Sequence, residues 1–544
     1  MTLRGVLVGL FQVVASLPSG RPQHEPSCGH GEDISTVVDL GYSKYEGLRL
    51  EPASVNQWLG MRFAAPPTGD LRWRAPQPAL MDDTEILSAT RFGATCLGYW
   101  ESELSDSVNE DCLYLNVFAP ANATTASKLP VWFFIQGGGY AGNLDQNFNA
   151  MQVIEESGHS MVDSELDPSS TCHWLTQPRS ALHWVQKYIH LFGGDPDHVV
   201  IAGDSAGAGS VAFHMAAYGG RDDKLFVGGV VESSFWPTLR KVSDMEFQFD
   251  RFAANVSCGP DEAPDENVMD CLRSKDTAVL QSADYAQAFP GRSSPAEWYF
   301  LPVVDGDFSQ DLLYNQFERG SIVKVPILVG DDTDEGTGFV PDATSITGFL
   351  GFMRDNFPKL STSDLQRISA AYPENGFDMF PLHADYFAAT ANAYGENTFT
   401  CPGIEISNSI AAYLSPDQVW NYRYNVEDCD TVAAGYGIPH VSEKTAIYGV
   451  NNTGPCDGCS YATYNAPMVP IVMHYWNSFI KHLNPNVEKH ATAPEWEPWM
   501  QRCGHAWHPQ RLKFELNATE MESVPADQLE RCDLWKDLAA VTEQ

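Results

Sequence analysis

Gly203-Asp204-Ser205-Ala206-Gly207 follows the apolar run His198-Val199-Val200-Ile201-Ala202 and leads into a stretch rich in Ala, Gly, Val and Met. A serine between two glycines at a strand-to-helix turn stands on an elbow. Small flanking residues permit the turn, and the hydroxyl projects above the carboxyl end of a sheet. Such a hydroxyl can attack an acyl carbonyl if three further groups reach it: a base for its proton, a carboxylate to orient that base, and amide donors for the developing oxyanion. Ser205 is the candidate nucleophile.

Each partner has a candidate. Val131-Trp132-Phe133-Phe134-Ile135-Gln136-Gly137-Gly138-Gly139 is an apolar strand ending in three glycines, where bare backbone N–H groups can approach a substrate oxygen. Gly138 and Gly139, with the amide of Ala206, form the candidate oxyanion hole. The run Val325-Pro326-Ile327-Leu328-Val329-Gly330 leads into Asp331-Asp332-Thr333-Asp334-Glu335. Four carboxylates crowd that segment, and residue type alone does not choose among them. His440, in Gly437-Ile438-Pro439-His440-Val441-Ser442-Glu443, is the candidate base. The chain order serine, acid, histidine is the one an α/β-hydrolase requires.

The elements that must hold these residues are legible as alternating patterns. Apolar, β-branched runs at 113–118, 129–135, 199–202, 225–231, 325–330 and 419–424 predict strands, and three-to-four spacing of apolar residues predicts helices at 146–156, 181–192, 210–218 and 470–482. Alternation of this kind is α/β, and its turns are too short for linkers. One domain, roughly 33–535, is expected.

Composition narrows the class. Lys and Arg total 33 against 71 Asp and Glu, a formal charge of -38 that argues against a nucleic-acid partner. Residues 1–20 read as a secretory signal peptide: Arg4 precedes an apolar stretch that is too short to span a bilayer, with cleavage expected near 16–20. No later stretch is apolar enough to span a membrane. Twelve cysteines, an even number, suit an exported, disulfide-bonded chain. Cys456-Asp457-Gly458-Cys459 has no second pair of that spacing, so no metal site is expected. Sequons at Asn122, Asn255, Asn451 and Asn517 are candidate glycosylation sites.

The chain resembles the type-B carboxylesterase family, which includes cholinesterases and certain fungal lipases. The likeness lies in Trp58-Leu59-Gly60 through Arg72-Trp73-Arg74-Ala75-Pro76, Glu110-Asp111-Cys112-Leu113-Tyr114-Leu115-Asn116-Val117, the triple glycine, Trp184 through Ser210, Asp334-Glu335-Gly336-Thr337, Gly437 through Glu443, and Tyr475-Trp476 with Asn484-Pro485-Asn486. The resemblance implies an α/β-hydrolase fold with a large mixed, mostly parallel sheet flanked by helices. It also implies a secreted serine carboxylesterase acting on small-molecule esters without a cofactor, with Ser205 as nucleophile, Glu335 as acid and His440 as base. It further implies disulfides Cys96–Cys112 and Cys258–Cys271, and pairings of Cys401 with Cys429 and Cys503 with Cys532 are expected beside them. The Cys96–Cys112 loop is shorter than the flap of the family's lipases, which favours soluble or short-chain esters. Gln136 stands where many relatives carry histidine; its side chain can still donate a hydrogen bond.

One interval departs from the family. Residues 161–180 neither alternate nor run apolar like a buried strand, and Pro168 would interrupt one. The expectation is a central strand missing or replaced beside the glycine-loop strand. An alternative reading follows: a catalytically impaired or noncatalytic binding member of the same fold.

Overall fold

The computed structural model describes residues 36–544 except 52, 100–103, 143–148, 158–159, 165–174, 262–266, 451, 455–457 and 504–505. The signal-like segment and Asn451 lie outside the described residues, as do Cys28, Cys172 and Cys456.

The apolar runs form strands. Tyr114–Pro120, Leu129–Ile135, Gly194–Asp204, Gly228–Glu232, Ile327–Asp332 and Val419–Tyr424 all belong to one 12-stranded sheet. From Ala506–Phe514 inward, Val419–Tyr424, Ile327–Asp332, Gly228–Glu232, Gly194–Asp204, Leu129–Ile135 and Ser160–Ser164 pair in parallel, whereas both flanks of the sheet are antiparallel. Successive strand residues face opposite layers. Val131, Phe133 and Ile135 pack in one apolar cluster, and Trp132 and Phe134 pack in the other. A sheet covered on both faces requires continuous apolar runs, and that is why these strands carry little polar alternation.

Helices cover both faces, among them Thr176–Tyr188, Ala206–Gly220 and Met468–His482. Helix Met151–Ser157 precedes the strand Ser160–Ser164. Ile34–Gln544 forms one compact unit, which the C-terminal helix Ala526–Thr542 completes.

The interval expected to lack a strand contains one. Ser160–Ser164 runs parallel to Leu129–Ile135 and antiparallel to Tyr114–Pro120, with Val162 opposite both Phe133 and Val117. The expectation of a missing central strand is therefore corrected. Its flanking strands present N–H and C=O groups that must find partners, and a ladder of backbone bonds accepts a short segment whatever its side chains. Pro168 lies outside the described residues, beyond the strand.

Two of the expected cysteine pairings are also corrected. Cys96–Cys112 and Cys258–Cys271 are bonded, but Cys401 bonds Cys532 across 131 residues, with Cα atoms 5.1 Å apart. Cys401 opens the helix Cys401–Tyr413, which packs on the C-terminal helix, so proximity in space overrides proximity in sequence. Cys429 is exposed and unbridged, and Cys459 is disulfide-bonded.

Candidate active site

The carboxyl ends of the central parallel strands converge on one region, where open α/β sheets bind their ligands. Ile135 precedes the triple glycine, Asp204 precedes Ser205, and Asp332 precedes Glu335 by three residues.

Ser205 joins its strand directly to the helix Ala206–Gly220 and has φ 54° and ψ -121°. That left-handed backbone is uncommon for a side-chain-bearing residue and marks stored strain. Surrounding contacts hold it: the Ser205 N–H donates to Glu232 O at 2.9 Å, and its carbonyl accepts the Gly209 N–H at 2.9 Å. The flanking glycines answer to crowding, because a Cβ on Gly207 would overlap the Ile135 carbonyl. Ala206 is the first residue of the helix, so its N–H has no intrahelical partner and lies at the positive end of the helix dipole. Gly138 and Gly139 take φ 132° and 64°, and a Cβ on Gly139 would run into the Trp298 ring.

Geometry separates the four carboxylates that composition leaves equal. Glu335 Oε2 meets His440 Nδ1, while Glu335 Oε1 accepts the Asp332 N–H at 2.8 Å. Asp332 Oδ2 instead accepts the Ser442 N–H at 3.0 Å, and Asp334 Oδ2 accepts the Ile438 N–H at 2.9 Å. Asp331 lies under Gly403, where a Cβ would come within 3.1 Å of its carboxylate. Burial pushes Asp331 and Asp332 well above the usual carboxylate range and Asp334 up to about 6. Of the four, Glu335 is the one that touches the imidazole.

The His440 ring sits between two aromatics, with centroids 4.3 Å from Phe399 and 5.1 Å from Phe339. Its Nε2 is buried and makes no hydrogen bond to any described residue, Ser205 included. The structure thus joins His440 directly to Glu335 and links it to Ser205 through neighbours. Phe399 packs 5.6 Å from Phe235, whose N–H donates to the Ser205 carbonyl at 3.3 Å. Phe235, Trp298, Phe339 and Phe399 wall the site, with Trp298 5.7 Å from Phe235 and 5.9 Å from Phe339. These walls are not legible in the sequence. They come from separate segments, and no local pattern marks them among 28 phenylalanines and 14 tryptophans. Among the described residues no cluster of His, Cys, Asp and Glu is arranged to hold a metal ion.

Comparison with known proteins identifies the family of the chain. The model of the carboxylesterase family matches residues 34–162 and 177–535, so the break falls within the departing interval. The chain is 25% identical to "Secreted lipase 4" of Gibberella zeae, over 93% of this chain and 94% of that one. It is 29% identical to "Lipase 2" of Geotrichum candidum, over 89% and 94%. The crystal structure of Aspergillus niger EstA superposes with a TM-score of 0.88 at 46% identity, covering 94% of this chain and 99% of that one. With a serine elbow, a glutamate-held histidine and a match along nearly its whole length, the chain belongs to the carboxylesterase family and is a carboxylic ester hydrolase of the α/β-hydrolase fold.

Proposed function

We propose that Ser205, His440 and Glu335 hydrolyse small-molecule esters through an acyl-enzyme. His440 Nε2 takes the Ser205 proton as the hydroxyl oxygen attacks the ester carbonyl, and Glu335 holds the imidazole by Nδ1. The amides of Gly138, Gly139 and Ala206 stabilise the tetrahedral oxyanion. Collapse expels the alcohol, which takes its proton from His440. Water, deprotonated by His440, then attacks the acyl-enzyme and frees the acid. The contact between Glu335 Oε2 and His440 Nδ1 carries this reading, since it leaves Nε2 as the ring's free edge.

The aromatic walls and the short Cys96–Cys112 loop support short acyl or alcohol groups as substrates. Processing after a signal peptide, export and glycosylation belong to the same reading. It is supported by the disulfides and by the exposure of Asn122, Asn255 and Asn517. A p-nitrophenyl ester panel of increasing acyl length, run on the purified protein beside Ser205→Ala, tests the proposal. Rates highest for short chains in the native protein and absent from the variant are expected; equal rates in both proteins would remove Ser205 from the mechanism.

A further inference from the structure

Asp204 is the residue just before the serine, and its carboxylate reaches two other segments of the site. Oδ1 accepts the Gly137 N–H at 3.0 Å, and Oδ2 lies 3.1 Å from Lys444 Nζ. Gly137 opens the triple-glycine turn, and Lys444 opens the short helix Lys444–Tyr448, four residues beyond His440. Both side chains are largely withdrawn from solvent, with 5% and 12% exposure. Packing at this junction is close: a Cβ on Gly137 would come within 2.9 Å of the Asp204 carbonyl and 3.0 Å of Ser205 Cβ.

The rest of the histidine loop is fastened to the same layer. Ser442 N–H bonds to Asp332, and the Tyr422 hydroxyl donates to Glu443 Oε1 at 2.8 Å. At the far end of the short helix, the Tyr448 hydroxyl donates to Glu232 Oε2 at 3.3 Å, and the Glu232 carbonyl in turn holds the Ser205 N–H. Charge reinforces the geometry. Burial first, then the charges of Glu443 and Asp204, hold the Glu232 carboxyl well above its usual range, and Lys444 opposes them.

We infer that Asp204 and Lys444 form a partly buried ionic tie that sets the oxyanion turn, the serine elbow and the histidine loop in one mutual geometry. They are positioning residues. The inference rests on the Ser205, His440 and Glu335 reading given above. A desolvated ion pair deprived of one partner leaves an uncompensated buried charge, and the chain relieves it by moving the segments that the pair joins. Displacement on the scale of an ångström at a reacting centre is enough to cost about 100-fold in rate.

The test measures kcat and KM on p-nitrophenyl butyrate, the inhibition constant of a boronic acid that mimics the tetrahedral intermediate, and the melting midpoint. The proteins are the native enzyme, Asp204→Asn, Lys444→Met, Lys444→Arg and the double variant Asp204→Asn/Lys444→Met. Each of Asp204→Asn and Lys444→Met is expected to lower kcat by about 10- to 100-fold and to weaken the boronate in step, with KM moving by no more than about twofold. Lys444→Arg recovers part of the rate, and the double variant is no worse than the poorer single one. If kcat and boronate affinity stay at native values while only the melting midpoint falls, the tie is purely structural and the inference is overturned. Should Lys444→Met fail to fold, Asp204→Asn, equal in size, carries the test. Ser205→Ala serves as the control: native activity in it would sink the underlying mechanism, whereas a dead Ser205→Ala beside fully active tie variants would sink the inference alone.

Discussion

Glu335 and Gly139 carry the sharpest predictions at the scale of single residues. Glu335→Gln keeps the size of the side chain but removes the charge that faces His440 Nδ1, so kcat should fall by about 10³- to 10⁴-fold, as when a triad carboxylate becomes an amide. Asp334→Asn, whose partner is the Ile438 N–H, should leave kcat within about threefold. Equal losses in the two variants would undo the choice among the carboxylates. Gly139→Ala meets both a φ of 64° and the Trp298 ring, so the turn must shift, and kcat should drop by about 100-fold through a weakened oxyanion hole. Steady-state kinetics on a short-chain ester checks all three. Sequence exposed Ser205 readily because an elbow is a local feature, five residues long. It could not rank Asp331, Asp332, Asp334 and Glu335 by residue type, because what separates them is where the end of one strand aims each carboxylate. Lys444 was hidden for a similar reason: its partner Asp204 lies 240 residues away.

At the scale of elements, the strands at 129–135 and 419–424 were readable to the residue, because a strand buried on both faces is written as an unbroken apolar run. Ser160–Ser164 was not, since its place in the sheet follows from the needs of its neighbours rather than from its own side chains. The Cys401–Cys532 bridge was equally illegible, for connectivity depends on which helices pack together. Replacing both cysteines with serine should lower unfolding stability by about 3–5 kcal/mol, given the long loop the bridge closes, as read by denaturant titration under oxidising conditions. An unchanged midpoint would mean the helices hold without it. Asp334, at the start of the acid loop, makes stability depend on pH. Its folded-state value of about 6 exceeds that of the unfolded chain, so its contribution is full below about pH 4 and is lost as pH rises through about 6. Asp334→Asn should therefore gain roughly 1–1.5 kcal/mol relative to the native protein on going from about pH 5 to about pH 8. Parallel pH dependences in the two proteins would contradict this.

Across the whole molecule, the charge of -38 should act on substrate approach. An anionic ester should show a lower kcat/KM than a neutral ester of the same shape at low ionic strength, and added salt should close the gap. A gap that salt leaves untouched would place the discrimination in the pocket rather than in the field. The fold class was open to sequence reading because strand and helix patterns alternate along the chain, and nearly full coverage by EstA and the family model agrees with it. On the mechanism proposed above, this framework makes Ser205 the nucleophile. Its most direct test is to react the native protein with a fluorophosphonate, which bonds covalently to an activated serine, and to map the adduct by peptide mass spectrometry. One adduct is expected, on Ser205, lost in Ser205→Ala and formed much more slowly in His440→Ala. An adduct at another serine, or undiminished labelling of Ser205→Ala, would contradict this.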